Sequence, residues 1–194
     1  MPRVYGERIM LREYQKEDLT KMRKWVNDPV ITDNLSDNFL YPHTVNDTEA
    51  YLNAILEGKT QQKGFVIAHK ESGTYIGQID LYSIDWKNRV AMLGIVIGNP
   101  EEHGKGYGSE AILLLQQFVF ERMNLNKLEL DVYDYNTSAY KCYVKCGFKE
   151  EGRKRQRYYH KGRYRDTILM GILRSEYEQR KREGLVGTFS TCDS

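Results

Sequence analysis

Nothing in this chain is apolar for long enough to cross a bilayer: no run approaches the roughly 20 residues that a spanning helix needs. The opening Met-Pro-Arg-Val-Tyr-Gly-Glu-Arg has no apolar centre of the kind a secretory leader carries, so a cytoplasmic address is the expectation. Cysteine is scarce. Cys142, Cys146 and Cys192 form an odd set without metal-ligand spacing, and two thiols that could share a helix face do not make a zinc site without nearby partners. They read as small buried or half-buried residues in a reducing compartment, and no metal is expected. Surplus charge is missing too. Lys and Arg number 29 against 27 Asp and Glu, and a net charge of +2 gives no compositional case for nucleic acid.

What is present is the make-up of a folded domain. With 194 residues, 40% hydrophobic and 29% charged, the chain can bury a sizeable core and is not of disordered composition. Arg8-Ile-Met-Leu-Arg-Glu13 alternates as a first strand, and Leu19, Met22, Trp25 and Val26 recur at helical spacing over about residues 16–27. Asn27-Asp-Pro29 ends that helix. Residues 30–43 show no clear period and read as a loop with room for a short helical turn. Thr44-Val-Asn-Asp47 opens a second helix that runs to Gly58. Three strands joined by tight turns follow, at residues 64–68, 74–82 and 90–97, as an antiparallel meander. After a glycine-dense turn comes a helix over 112–123, then a strand at Lys127-Leu-Glu-Leu-Asp-Val-Tyr133. Strand, helix and strand in succession make a right-handed crossover and a parallel pair. Asn136 caps a helix from Ser138 to Lys145 that Gly147 closes. Two last strands, at 148–152 and 166–173, flank a basic stretch, and a charged helix begins the tail. The expectation is an α/β (α+β) domain over 1–178, a mixed sheet with helices on both faces, followed by a charged and then flexible tail over 179–194.

The stretch with most chemical information is Gly98-Asn-Pro-Glu-Glu-His-Gly-Lys-Gly-Tyr-Gly-Ser-Glu-Ala111, between a buried strand and a helix start. Glycines let the backbone curl close to a ligand, and first-turn amides have no intrahelical partner. Those donors and the positive end of the helix dipole favour phosphate. Gly104-x-Gly106-x-Gly108 lacks the third glycine offset of a dinucleotide fingerprint, and no acid follows a second parallel strand. A nucleotide-triphosphate loop fails as well, because Lys105 is not followed by Ser or Thr after a longer glycine span.

Two signatures in order give the turn a family. His103-Gly-Lys-Gly-Tyr-Gly108 resembles the Gln/Arg-x-x-Gly-x-Gly/Ala loop of the GNAT superfamily of acetyl-coenzyme A-dependent N-acetyltransferases. Asn136-Thr-Ser-Ala139, Tyr143 and Lys145-Cys-Gly-Phe148 resemble its second signature, Asn-x-x-Ala-x-x-x-Tyr-x-Lys-x-Gly-Phe. Ile9-Met-Leu-Arg12, Trp25-x-Asn-Asp-Pro29, Glu151-Gly-Arg153, Gly162-Arg-Tyr-Arg-Asp166 and Met170-Gly-Ile-Leu173 are similar to the branch holding ribosomal-protein alanine N-terminal and spermidine acetyltransferases. The resemblance spans about residues 7–178. It implies a GNAT-like fold, mostly antiparallel with one splayed parallel pair, and transfer of an acetyl group from acetyl-CoA to a primary amine by direct attack.

The resemblance also implies roles. Gly104, Gly106 and Gly108, with the amides of Lys105, Tyr107 and Ser109, would wrap the pyrophosphate, and His103 stands where the family has Gln or Arg. Ile95, Val96 and Ile97 would offer backbone groups to the pantetheine arm and, through Ile95 or Val96, to the thioester carbonyl, as in strand addition. Asn136 would cap its helix and bond the same arm. Tyr143 matches the general acid, with Tyr140 as the fallback; a phenol of reference pKa about 10 can hand a proton to the departing thiolate. The general base is a gap. Met92 occupies the place where many relatives carry Glu, which leaves Asp80, Asp85 and Asp134 as other acids, or an amine that arrives neutral. The run Arg153-Lys-Arg-Gln-Arg157 reads as a solvated hairpin face, although basic residues interleaved with aromatics also suit RNA or the coenzyme 3′-phosphate. It weighs against a polyamine, which prefers acids around it. The expected partner is therefore an amine, on a protein N-terminus or a small molecule, with neither membrane nor nucleic acid expected. A homodimer is compatible with the branch. The competing reading is a protein on the same fold that binds acetyl-CoA or RNA without catalysis.

Overall fold

A computed structural model describes residues 3–187 and divides the chain into two compact units. The first combines residues up to Tyr82 with Gly94–Leu114, and the second combines Ser83–Leu93 with the chain from Leu115 onward. Two strands pass from one unit into the other, so the pairings within the units add up to one eight-stranded sheet.

In the first unit β1 (Val4–Tyr5), β2 (Ile9–Arg12), β3 (Lys63–His69), β4 (Tyr75–Asp85) and β5 (Val90–Ile97) neighbour one another in that order. β1 to β4 are joined by antiparallel ladders, and β4 and β5 are the two strands shared with the second unit. Two helices pack on this sheet. α1 (Asp18–Trp25) buries Met22 and Trp25, and α3 (Val45–Leu56) buries Leu52, in a core with Met10, Tyr14, Val66, Ala68 and Tyr75. α3 starts at a capping box in which Thr44 and Asp47 each bond the other's backbone amide. Between the two helices lies a single turn, α2 (Pro29–Thr32), capped by Asp28, and then a 3₁₀ turn at Asp37–Phe39.

In the second unit β5 pairs in parallel with β6 (Lys127–Tyr133), which pairs antiparallel with β8 (Arg163–Leu173), with β7 (Lys149–His160) at the edge. The parallel register covers Val90↔Lys127, Ala91↔Leu128 and Met92↔Glu129, and both strands run on beyond it. α4 (Tyr107–Gln117) enters this unit, ends in a π-helical turn at Phe118–Arg122, and buries Val119 and Phe120. α5 (Thr137–Lys145) and α6 (Arg174–Arg182) follow, with Tyr177 of α6 against Phe120.

Two expectations are corrected here. The basic stretch is not a connection between short strands: it is the outer half of β7, a 12-residue strand joined to the 11-residue β8 by a tight turn at Lys161-Gly162. A short strand, β1, precedes the one expected first. Of the tail, α6 forms as expected, while Cys192 and residues 188–194 lie outside the described residues.

Candidate active site

The glycine-dense turn is built at the end of β5. Gly98 donates its amide to the Ile76 carbonyl (2.9 Å), and a Cβ at 98 would overlap the Trp25 indole, so this glycine serves packing. Asn99 accepts from the Glu101 amide (3.1 Å) and starts one 3₁₀ turn, Pro100–Glu102. The chain then reverses through Gly104 (φ 74°) and Gly106 (φ 86°), left-handed values that side chains other than glycine resist. α4 begins at Tyr107, and its first helical bond runs from the Glu110 amide to the Gly106 carbonyl (3.1 Å). The amides of Tyr107, Gly108 and Ser109 therefore stand at the positive end of α4. A Cβ at Gly108 would come only to 4.0 Å from Ile97 Cγ1, which leaves that face of the turn open.

A brace from β2 holds this turn. The Arg8 and Ile9 amides donate to Glu110 Oε1 (2.9 and 3.3 Å), and Arg8 Nε donates to Oε2 (3.0 Å). Arg8 Nη1 reaches the Lys105 carbonyl (2.7 Å), with its guanidinium 4.9 Å from the centroid of the Tyr107 ring. Lys105 Nζ pairs with Glu102 (2.9 Å), which also faces His69 (3.4 Å). That pairing holds the Glu102 carboxyl below its ordinary range and Lys105 above its own. The His103 ring turns back to the Ile97 carbonyl, with Nε2 at 2.9 Å, so its donor there is spent on the strand end. Arg8 and Glu110 could not be picked out by motif, since each meets its partner about 100 positions away.

Ile95, Val96 and Ile97 are half-buried on β5, next to Gly94, and the Tyr82 ring fills the place where a Gly94 side chain would sit. On β4 the residues Gln78, Asp80 and Tyr82 alternate onto one face. Asp80 is 2% exposed. Its Oδ1 accepts from Tyr14 Oη (2.7 Å) and its Oδ2 from Gln78 Nε2 (3.1 Å). Gln78 Nε2 also donates to Tyr51 Oη (3.2 Å), which accepts from Gln62 Nε2 as well (2.8 Å). Tyr75 Oη accepts from Trp25 Nε1 (3.1 Å) and donates to Gln78 Oε1 (3.2 Å). Burial pushes the Asp80 carboxyl up to about 6, against the smaller opposing pull of hydrogen bonds from Tyr14, Gln62 and Gln78. The signal in the sequence is a polar pair, Gln78 and Asp80, two positions apart in a stretch of β4 that is buried from Tyr75 to Leu81.

In the second unit Asn136 caps α5 by accepting from the Ala139 amide (3.2 Å). Tyr143 is buried on α5 with its ring 6.0 Å from Phe148, and Gly147 (φ 94°) ends the helix, with the Phe148 amide on the Tyr143 carbonyl (3.0 Å). Tyr140 instead donates to Glu150 (3.3 Å). Of the remaining acids, Asp85 closes the β4–β5 turn through Asn88 and is held low by it. Asp134 accepts from the Asp166 amide (3.2 Å) and lies 3.7 Å from Arg165. Along the hairpin, Tyr158, Tyr133, Tyr135 and His160 stack in succession at 4.1–5.4 Å, and Arg153 and Lys154 pair with Glu150 and Asp131. Among the described residues no helix is long and apolar enough to cross a membrane, and no group of three or more His, Cys, Asp or Glu could hold a metal.

The first unit thus gathers the residues expected at the pyrophosphate and on the docking strand, and the second carries Asn136 and Tyr143 on one short helix. Over most of its length the chain is similar to known proteins. A spermidine N(1)-acetyltransferase of Vibrio cholerae is 30% identical over 176 residues, covering 90% of this chain and 98% of the relative. The putative ribosomal N-acetyltransferase YdaF of Bacillus subtilis is 31% identical over 109 residues, 56% of this chain and 59% of that one. The crystal structure of the Vibrio cholerae spermidine N-acetyltransferase in complex with CoA and spermine superposes with a TM-score of 0.77 at 27% identity, covering 89% of this chain and 99% of that chain. Residues 8–149 match the acetyltransferase (GNAT) domain, and the chain belongs to that family.

Proposed function

We propose that the protein moves the acetyl group of acetyl-CoA onto a primary amine of a small aliphatic polyamine, by direct attack on the thioester. The observation that carries the choice of acceptor is coverage: the spermidine acetyltransferase aligns over 98% of its length, the ribosomal relative over 59%. The objection from the basic hairpin weakens, because Arg153, Lys154 and Arg165 each have an acid beside them. In this reading the turn from His103 to Ser109 holds the pyrophosphate through backbone amides and the end of the α4 dipole. Ile95, Val96 and Ile97 present the docking strand, and an amide of Ile95 or Val96 stabilises charge on the thioester oxygen. Asn136 bonds the pantetheine arm. Tyr143 gives its phenolic proton to the leaving thiolate.

The test is thiol release from acetyl-CoA against a panel of spermidine, spermine, putrescine and a peptide with a free N-terminal alanine, with products identified by mass spectrometry. Monoacetylated polyamine is the expected product. Acetylation of the peptide alone, or coenzyme A binding with no turnover on any amine, overturns the assignment.

A further inference from the structure

We propose that Asp80 is the group that takes the proton from the acceptor amine, and that the tyrosine cluster around it receives the amine; this rests on the reading of the protein as an amine acetyltransferase. Met92 cannot take a proton, so either the amine arrives neutral or another group takes its proton, and the surroundings of Asp80 favour the second.

Two buried acids of the first unit differ in a telling way. Asp18 is 3% exposed and carries its own cation, with both oxygens on the Arg12 guanidinium (2.7 and 2.9 Å). Asp80 is as buried and has only neutral partners, the Tyr14 hydroxyl and the Gln62 and Gln78 amides. An unpaired buried carboxylate is costly, and it becomes favourable once a cation comes to it. The surroundings suit an alkylammonium ion: burial raises the phenols of Tyr14, Tyr51, Tyr75 and Tyr82, and the Asp80 charge raises each of them further. The hydroxyl of Tyr14 lies on Asp80 and those of Tyr51 and Tyr75 on Gln78, so phenol oxygens stand beside the carboxylate as acceptors for an ammonium ion. The position is also built for the carboxyl. Gly64 lies opposite Asp80 in the β3–β4 register, and a Cβ there would overlap the carboxyl and stand 2.9 Å from Asp80 Cα. Tyr51 and Gln62 are half-buried and Tyr82 is exposed, so these are the solvent-facing members of the cluster, and in this proposal the amine approaches on their side, directly or through one water.

The step balances. An N–H bond of the ammonium breaks, its electron pair stays on nitrogen, and the proton moves to an Asp80 oxygen. The nitrogen pair then forms the C–N bond, the C–S bond breaks with its pair on sulfur, and nitrogen's surplus proton replaces the one given to the thiolate. Amide, thiol and one proton result, and the Asp80 acid returns that proton to water.

The experiment compares wild type, Asp80→Asn and Asp80→Glu in kcat/KM for spermidine across pH 5 to 9, with acetyl-CoA affinity measured separately. Asp80→Asn should lose on the order of 100-fold at pH 7 with acetyl-CoA affinity unchanged. Its deficit should shrink about tenfold per pH unit as the amine sheds its own proton, and Asp80→Glu should restore part of the rate. A loss by the same factor at every pH, or a wild-type profile in Asp80→Asn, overturns the proposal. If wild type turns over no amine, the acceptor reading fails by itself. Asp80 is then still read by carboxyl NMR of the free wild-type protein, assigned by its loss in Asp80→Asn. A resonance that titrates near 6 and shifts with spermidine supports it; one that titrates near 4 and ignores spermidine overturns it.

Discussion

A buried phenol at position 143 differs from phenylalanine by one hydroxyl, which makes Tyr143→Phe a clean separation of packing from proton transfer. The ring already packs against Phe148, and phenylalanine keeps that contact. If Tyr143 protonates the thiolate, kcat should fall about 100- to 1,000-fold in Tyr143→Phe, while acetyl-CoA affinity stays within about twofold. Stopped assays with titration calorimetry check this, and undiminished turnover would remove Tyr143 from the mechanism. Gly64 offers a second test at this scale. Because its missing side chain makes room for Asp80 against backbone as well as carboxyl, Gly64→Ala should cost about 1–3 kcal/mol, read by urea unfolding. A neutral result would mean that β3 and β4 can part cheaply, and that Asp80 is held less firmly than its hydrogen bonds imply.

At the level of elements, the glycine turn depends on a strand far away in sequence. Arg8 ties the Lys105 carbonyl and the Glu110 carboxylate to β2, so Arg8→Ala should loosen the turn without touching the acceptor side. The expected outcome is a several-fold rise in KM for acetyl-CoA with kcat little changed, since only binding common to ground and transition state is lost. A fall in kcat with KM constant would contradict it. That brace also marks the limit of what the sequence could show. α3 was legible from Thr44 and Asp47, whose capping box is a local rule, and α5 from Asn136 and Gly147, which cap its two ends. The meander of β3, β4 and β5 was legible because its apolar positions alternate or run together between turns. β7 was not, beyond its first residues. Every residue from Arg153 to Arg157 is exposed, so no apolar period exists, and its ladder with β8 is set by pairing across the hairpin. Gly98 opens the glycine-dense stretch, yet its role is to admit Trp25, and only the packing of α1 on the strand end shows that. Arg8, Tyr14 and Tyr51 escaped for the same reason: their partners lie far along the chain, and single residues of these types carry no motif.

For the molecule as a whole, the consequence of an unpaired buried carboxyl is a stability that depends on pH in the less usual direction. Asp80 sits near 6 when folded and near 3.8 in its reference state, so the folded protein binds the extra proton between those values. Its contribution is therefore fully present below about 3.8 and is lost as pH rises through 6, by about 3 kcal/mol in order of magnitude. Glu13 works in the opposite sense: Arg3 holds it near 2, so its part is lost as pH falls from 4.5, but the pair is more than a third exposed and solvent screens it. Taking the difference between wild type and Asp80→Asn cancels Glu13 and every other group. The wild-type melting temperature should fall relative to the variant from pH 4 to about 7 and stay level above that, by roughly 6–12 °C in all for a chain of this size. Calorimetry across that range checks it, and a difference that is flat in pH would show that Asp80 titrates as an ordinary carboxyl. A burden of this kind survives where function needs it, and an ammonium ion brought to the carboxylate would relieve it. Spermidine should accordingly stabilise wild type more at pH 8 than at pH 5 and leave Asp80→Asn nearly unmoved, because only the charged carboxylate gains a partner.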